Sequence, residues 1–263
     1  MSEKKLAGKV AIVTGGGSGI GKASVLLFAE QGAKVALLDR TVDKAEEVKR
    51  QVEQAGGEAM VVECDISKPE MVEKAVNQVA ETWGRLDVVF ANAGINGAMA
   101  PIETMEMDDW DQTIQINLRG TFATVKYAIP HLKERGGSIL ICSSINGNRV
   151  FSNIGFSAYS TTKAGQVAFM KMAALELAQF KIRVNAICPG AIETNIGDNT
   201  FPSDDLEEVK IPVEFPEGDQ PLEEGPGKPR QVAKLALFLA SDDSDHISGT
   251  EVYVDGAESL LHG

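Results

Sequence analysis

Tyr159 and Lys163 stand four positions apart in the run Tyr159-Ser160-Thr161-Thr162-Lys163, so on a helix a phenol and an ammonium share one face. A phenol with its ordinary pKa near 10 is a poor base at neutral pH. A neighbouring positive charge favours the phenolate and lowers that value, which would let the tyrosine exchange a proton with an alcohol or carbonyl oxygen. Many helices carry such a pair by chance, so its weight comes from a second feature far upstream. There, Thr14-Gly15-Gly16-Gly17-Ser18-Gly19-Ile20-Gly21 follows an aliphatic run and opens a helical pattern. In that context glycines allow a tight turn, close approach of a pyrophosphate and close packing of helix on sheet, while the free N–H groups of the helix start attract the phosphates. Asp39 ends the next aliphatic run. A carboxylate there accepts hydrogen bonds from ribose hydroxyls and repels a 2′-phosphate, which favours NAD over NADP. Arg40 beside it is the counter-signal, since a guanidinium pairs well with phosphate.

Such groups meet only if the chain folds into alternating layers. Residues 10–13, 34–38, 59–63, 88–91, 138–142, 183–187 and 251–254 read as strands, being short, aliphatic on both faces and bounded by glycine or polar residues. Between them, 19–31, 42–55, 69–83, 107–135, 158–180 and 231–240 carry helical periodicity, and Pro130 is expected to kink or end the fourth of these helices. Strands buried on both faces and separated by helices predict an α/β fold: a single doubly wound Rossmann domain over residues 1–263, with a seven-stranded parallel sheet and helices on both faces. No linker interrupts the alternation. The one irregular stretch, 195–228, holds ten acidic residues against two lysines and several prolines, and its place after the sixth strand predicts a substrate lid at the carboxyl edge of the sheet.

Composition excludes other classes. The 263 residues carry 25 basic and 38 acidic side chains, a formal charge of −13, which argues against a nucleic-acid partner. No apolar run reaches membrane-spanning length and no signal core follows Met1, so a cytoplasmic protein without a membrane partner is expected. Cys64, Cys142 and Cys188 form no CxxC pair and read as buried thiols. No metal site is expected: His131, His246 and His262 make no HExxH pattern.

Taken in order, the motifs resemble the short-chain dehydrogenase/reductase family over essentially the whole chain, most of all its 3-oxoacyl-carrier-protein reductase-like members. They are the glycine turn, Asp65 after the third strand, Asn92-Ala93-Gly94 after the fourth, Asn117 in the fourth helix, a serine pair after the fifth strand, Tyr159-x-x-x-Lys163, and Pro189-Gly190 followed by Thr194. The resemblance implies that Tyr159 is the general acid/base, that Lys163 bonds the nicotinamide ribose and lowers the tyrosine pKa, that Ser144 orients the substrate oxygen, and that Asn117 holds a relay water. It implies that Gly15, Ser18, Gly19, Ile20 and Gly21 cradle the dinucleotide, that Asp65 and Ile66 flank adenine, that Asn92 with Ala93 and Gly94 supports the cofactor-side strand end, and that Ile192 and Thr194, following Pro189 and Gly190, fix the carboxamide. One departure concerns the serine. Ser144 precedes Tyr159 by two residues more than the family pattern, which reads as an insertion within 146–157; position at the strand end favours Ser144 over Ser143.

The expected reaction is NAD-dependent interconversion of a secondary alcohol and a ketone, with the alcohol or ketone as small-molecule partner. The alternatives are an NADPH-dependent 3-oxoacyl reductase and a non-catalytic dinucleotide-binding sensor. The −13 surface disfavours an acidic carrier protein, and a sensor would be expected to lack the tyrosine or lysine. A serine hydrolase needs a GxSxG elbow that neither Ser18 nor Ser157 completes. Ile95, Met99, Phe151, Phe156 and Phe201 are the expected lining of a small, partly apolar pocket. The resemblance also implies a homotetramer joined through the two long helices and the last strand, with Ala168, Phe169, Met172 and Leu175 compatible with that contact.

Overall fold

The computed structural model describes residues 4–209, 211, 221–222 and 225–262. In chain order the elements are β1 (Val10–Thr14), α1 (Gly19–Glu30), β2 (Lys34–Asp39), α2 (Val42–Gln54), β3 (Glu58–Glu63), α3 (Pro69–Trp83), β4 (Val88–Ala91), β5 (Gly97–Met99), α4 (Met107–Thr113), α5 (Gly120–Leu132), β6 (Gly137–Cys142), α6 (Ser157–Leu177), β7 (Ile182–Pro189), β8 (Thr200–Pro202), α7 (Pro229–Ala240), β9 (Glu251–Val254) and α8 (Ser259–His262). Seven strands form one parallel sheet in the order β3-β2-β1-β4-β6-β7-β9, as the alternation of runs predicts. Side chains alternate across each strand. Val10, Ile12, Val89 and Ile139 therefore face a core closed by α3, α5 and α6, and Ala11, Val13, Phe90 and Leu140 face one closed by α1, α2 and α7. Strand order reverses between β1 and β4, so a crevice opens at their carboxyl ends.

Three features depart from the expected elements. The helix expected over 107–135 is continuous but carries a wide π turn at Ile114–Arg119 between α4 and α5; such turns leave a carbonyl free of the regular ladder. Pro130 sits inside the last turn and the helix runs on to Leu132, because only one intrahelical bond is lost that close to the end. A second, two-stranded parallel ribbon joins β5 to β8. It ties the start of the expected lid to the segment after β4. Lys210, residues 212–220 and residues 223–224 of that lid lie outside the described residues.

At the opposite edge of the sheet, buried Asp87 accepts hydrogen bonds from Val10 N (2.8 Å) and from Arg85 Nε and Nη2 (2.8 and 2.6 Å). Replacing Asp87 by Ala strands one buried N–H and one guanidinium, so the unfolding free energy read by urea titration is expected to drop by about 2–4 kcal/mol. A loss below about 0.5 kcal/mol would show that water replaces the carboxylate. All three cysteines are buried and free. No helix of the described residues is long and apolar enough to cross a membrane. On α6, Met172 and Leu175 are exposed, and Phe169 meets Phe122 of α5 edge to face at 5.6 Å.

Candidate active site

The glycine turn leaves β1 with Gly15 at φ +67° and Gly19 at φ +50°, left-handed values that suit glycine. Gly15 N donates to Leu38 O (2.8 Å), which holds the turn over the end of β2. A Cβ on Gly21 would land on the Gly15 carbonyl oxygen and press on Asn92 Nδ2. Asn92 locks the neighbouring strand end to the same turn: its N–H donates to Thr14 Oγ1 (2.9 Å) and its Nδ2 to Thr14 O (3.0 Å). Ala93 N donates to the same Thr14 hydroxyl (3.0 Å). Helix α1 starts with no acidic residue in its first turn and no side-chain cap from Ser18. Its first N–H groups and the positive end of its dipole therefore face the crevice without an internal anion. These features fit the pyrophosphate of a dinucleotide.

The crevice has a volume of about 710 Å³ and runs from this turn to Tyr159, within the range of small-ligand sites. Asp39, Asp65, Ile66, Gly94, Pro189, Gly190, Ile192 and Thr194 line it with Gly15, Ser18, Gly19, Ile20, Asn92 and Ala93. Gly21 instead packs beneath the turn, and Asn117 is buried behind the crevice. Asp39 Oδ2 accepts from Gly17 N and Oδ1 from Thr41 N, both at 2.8 Å, so the carboxylate is oriented before any ligand arrives. Burial pushes the Asp65 carboxyl up, but hydrogen bonds from Ser67 together with the charges of Lys68 and Arg40 hold the group below its ordinary value.

At the other end, Tyr159 is buried on the first turn of α6, with the Phe156 ring edge-on at 5.6 Å. The Ser144 hydroxyl lies near enough to the phenol to draw its pKa down and accepts from Asn146 N (3.1 Å). Ser143 turns away, donating to Lys163 O (2.8 Å) and accepting from Asn148 Nδ2 (3.1 Å). Lys163 Nζ donates to Cys142 O (2.8 Å) and lies 5.4 Å from the centre of the Tyr159 ring. The expectation that this ammonium lowers the phenol pKa does not hold for the protein alone. Burial pushes the Tyr159 phenol above its ordinary value, against a smaller opposing effect of the nearby Ser144 hydroxyl, and burial also lowers the Lys163 ammonium. The lysine proton is directed at a carbonyl rather than at the phenol oxygen, so desolvation decides the direction.

Asn117 sits in the π turn. Its amide accepts from Ile95 N (2.9 Å) and donates to Ile95 O (2.8 Å) and Thr162 Oγ1 (3.2 Å), fixing the segment after β4 against α6. Of the expected apolar lining, only Ile95 borders the crevice; Phe151 and Phe201 are 72% and 59% exposed, and Phe156 packs on the Tyr159 ring. Residues not expected from sequence also border it, among them Asn96, Asn146 and Asn153. Glu258 is another, its Oε2 accepting from Ala191 N (2.8 Å) and so bracing the turn after Pro189. These four lie on irregular segments, where no periodicity marks which side chain turns inward.

A doubly wound sheet with a glycine cradle at its switch point and a tyrosine–lysine pair at the far end of one crevice defines a dinucleotide-dependent oxidoreductase. Comparison with known proteins agrees. A family model described as enoyl-(acyl carrier protein) reductase matches residues 15–257. A solved 3-ketoacyl-ACP reductase from Sinorhizobium meliloti 1021 is 48% identical, with a TM-score of 0.92 over 96% of this chain and 99% of that one. A 3-ketoacyl-(acyl-carrier-protein) reductase from Brucella melitensis, solved with NADH, is 33% identical at a TM-score of 0.84, covering 97% and 99%. The cyclohexanol dehydrogenase of Acinetobacter sp. (strain SE19) is 35% identical over 254 residues, 96% of each chain. The chain belongs to the short-chain dehydrogenase/reductase family and is an enzyme acting on CH–OH groups with NAD(P).

Proposed function

We propose that the protein interconverts a secondary alcohol and a ketone with NAD(H), the proton moving at Tyr159. One observation carries this reading: Tyr159, Ser144 and Lys163 line one end of the same crevice, opposite the glycine turn and Asp39. The nicotinamide, when bound, supplies the hydride acceptor or donor that no side chain provides. The α1 N–H groups would hold its pyrophosphate and Asp39 its adenosine ribose; Asp65 and Ile66 would flank adenine. Lys163 would bond the second ribose, and Ile192 and Thr194 the carboxamide. In oxidation Tyr159 Oη takes the substrate hydroxyl proton; in reduction it returns a proton to the carbonyl oxygen, while Ser144 Oγ donates to that oxygen as charge develops. Asn117 acts by position, holding the Ile95 segment where the substrate and the ribose must pass. The 195–199 stretch lines the crevice rim, which supports a lid beginning there. A tetramer would cover the exposed apolar residues of α6.

Initial rates with secondary alcohols, read by NADH absorbance with NAD and NADP in parallel, test this reading directly. Turnover of no alcohol and no ketone would remove it. Asp39 sets the cofactor expectation: kcat/KM with NAD should exceed that with NADP by at least about tenfold, the cost of an unscreened charge against a phosphate. Asp39→Ser removes the repelling charge beside Arg40 and should bring the ratio down by a similar factor. A wild-type preference for NADP would instead support the 3-oxoacyl reductase reading, which the carrier-protein reductases among its relatives favour.

A further inference from the structure

The substrate end of the crevice is built from three segments hydrogen-bonded to one another. β5 pairs with β8, Ala100 N donates to Gly155 O (3.2 Å) and Ser203 N to Met99 O (2.9 Å). Their aromatic residues turn elsewhere, and their amides face the crevice. Asn146 and Asn153 matter most because they belong to the segment that carries Ser144. Asn146 N donates to Ser144 Oγ (3.1 Å), and Asn153 Nδ2 donates to Asn146 Oδ1 (2.7 Å). That second bond leaves Asn146 Nδ2 as a donor and Asn153 Oδ1 as an acceptor on the linked amides, neither with a hydrogen-bond partner among the described residues. Asn96 repeats the pattern across the crevice: its Nδ2 donates to Thr200 Oγ1 (2.8 Å), leaving Oδ1 to the site.

We propose that the natural substrate is a polyol, a secondary alcohol with a further hydroxyl beside the reacting carbon, and that the Asn146–Asn153 amide pair binds that second hydroxyl. A hydroxyl is both donor and acceptor, so it can accept from Asn146 Nδ2 and donate to Asn153 Oδ1 at once. An alkyl or acyl chain at the same place would strip both amides of water and return nothing, a loss of roughly tenfold in affinity for each unpaired group. The product would be the α-hydroxy ketone, formed as the carbinol C–H passes as hydride to nicotinamide and the hydroxyl proton to Tyr159. This inference rests on the function proposed above.

The test is kcat/KM with NAD for cyclohexanol, for cis- and trans-1,2-cyclohexanediol and for a cyclic hexol, using the full-length wild type and N153A. At least one polyol is expected to exceed cyclohexanol by about tenfold or more. N153A is expected to bring that ratio to within about threefold of unity. Asn153 is exposed, so an unchanged melting temperature verifies that the variant is folded. A wild-type ratio of one or less, with cyclohexanol turned over, overturns the polyol assignment and leaves the reading of the site intact. A wild-type preference that N153A does not alter overturns the role of the amide pair. Turnover of none of these alcohols or their ketones, with NADH demonstrably bound, overturns the proposed function and the substrate class together.

Discussion

Tyr159→Phe is expected to lower turnover by about a thousandfold or more while NADH affinity stays within about threefold of wild type. The substitution removes only the hydroxyl; the ring keeps its edge contact with Phe156, and Lys163 keeps its bond to Cys142 O. Retained activity in this variant would sink the proposed chemistry. The same variant isolates the titration of Tyr159, because subtracting its near-ultraviolet phenolate absorbance from that of wild type removes Tyr127 and Tyr253. Burial raises the Tyr159 phenol above its ordinary value of 10, so in the protein without nucleotide the difference signal should be absent at neutral pH and emerge only in strong alkali. The sign for catalysis follows. Oxidation needs the phenolate, so its rate climbs with pH toward the operative pKa; reduction needs the phenol, so its rate holds below that pKa and falls above it. A positive nicotinamide ring favours the phenolate by charge, so the oxidation profile should turn at lower pH than the spectral transition of the protein alone. Coincidence of the two would leave nucleotide charge with no part in activating the tyrosine.

Gly21→Ala is the second large effect. Gly21 does not have a left-handed φ, so the penalty is a collision: the added methyl lands on the Gly15 carbonyl and against Asn92 Nδ2. Either α1 slides away from the sheet or the turn opens. Overpacking of this kind costs about 1–3 kcal/mol of stability, and the displaced N–H groups can no longer converge on a pyrophosphate. A loss of NADH affinity of about a hundredfold is expected by fluorescence titration, since roughly 3 kcal/mol of binding depends on that geometry. Gly225→Ala, where a Cβ meets nothing within 4 Å among the described residues, is the matched control and should be silent. Near-normal NADH binding by the Gly21 variant would place the phosphates elsewhere.

The strand and helix pattern of a parallel doubly wound sheet and the glycine turn that opens its first helix were legible in the sequence. Glycine spacing, β-branched runs and helical periodicity are local properties. The Tyr–Lys spacing was legible for the same reason, since four residues make one helical turn wherever the helix goes. Other features had no local signal. The π turn lies where Asn117 bonds both Ile95 and Thr162, and no residue type announces it. The apolar lining failed because Phe151 sits on an irregular segment and Phe201 on the short β8 ribbon, where hydrophobicity does not tell which way a ring points.

By its order of residues alone the chain determined its layers, its glycine cradle and the identity of the phenol and ammonium that share a helix face. Tertiary structure alone decided that Ser143 is turned to Lys163 O and Asn148, that desolvation outweighs the ammonium in setting the phenol pKa, and that amides border the substrate end. Each of these depends on burial and on hydrogen bonds between segments far apart in sequence. Those distances and the local dielectric do not exist until the sheet has brought the segments together.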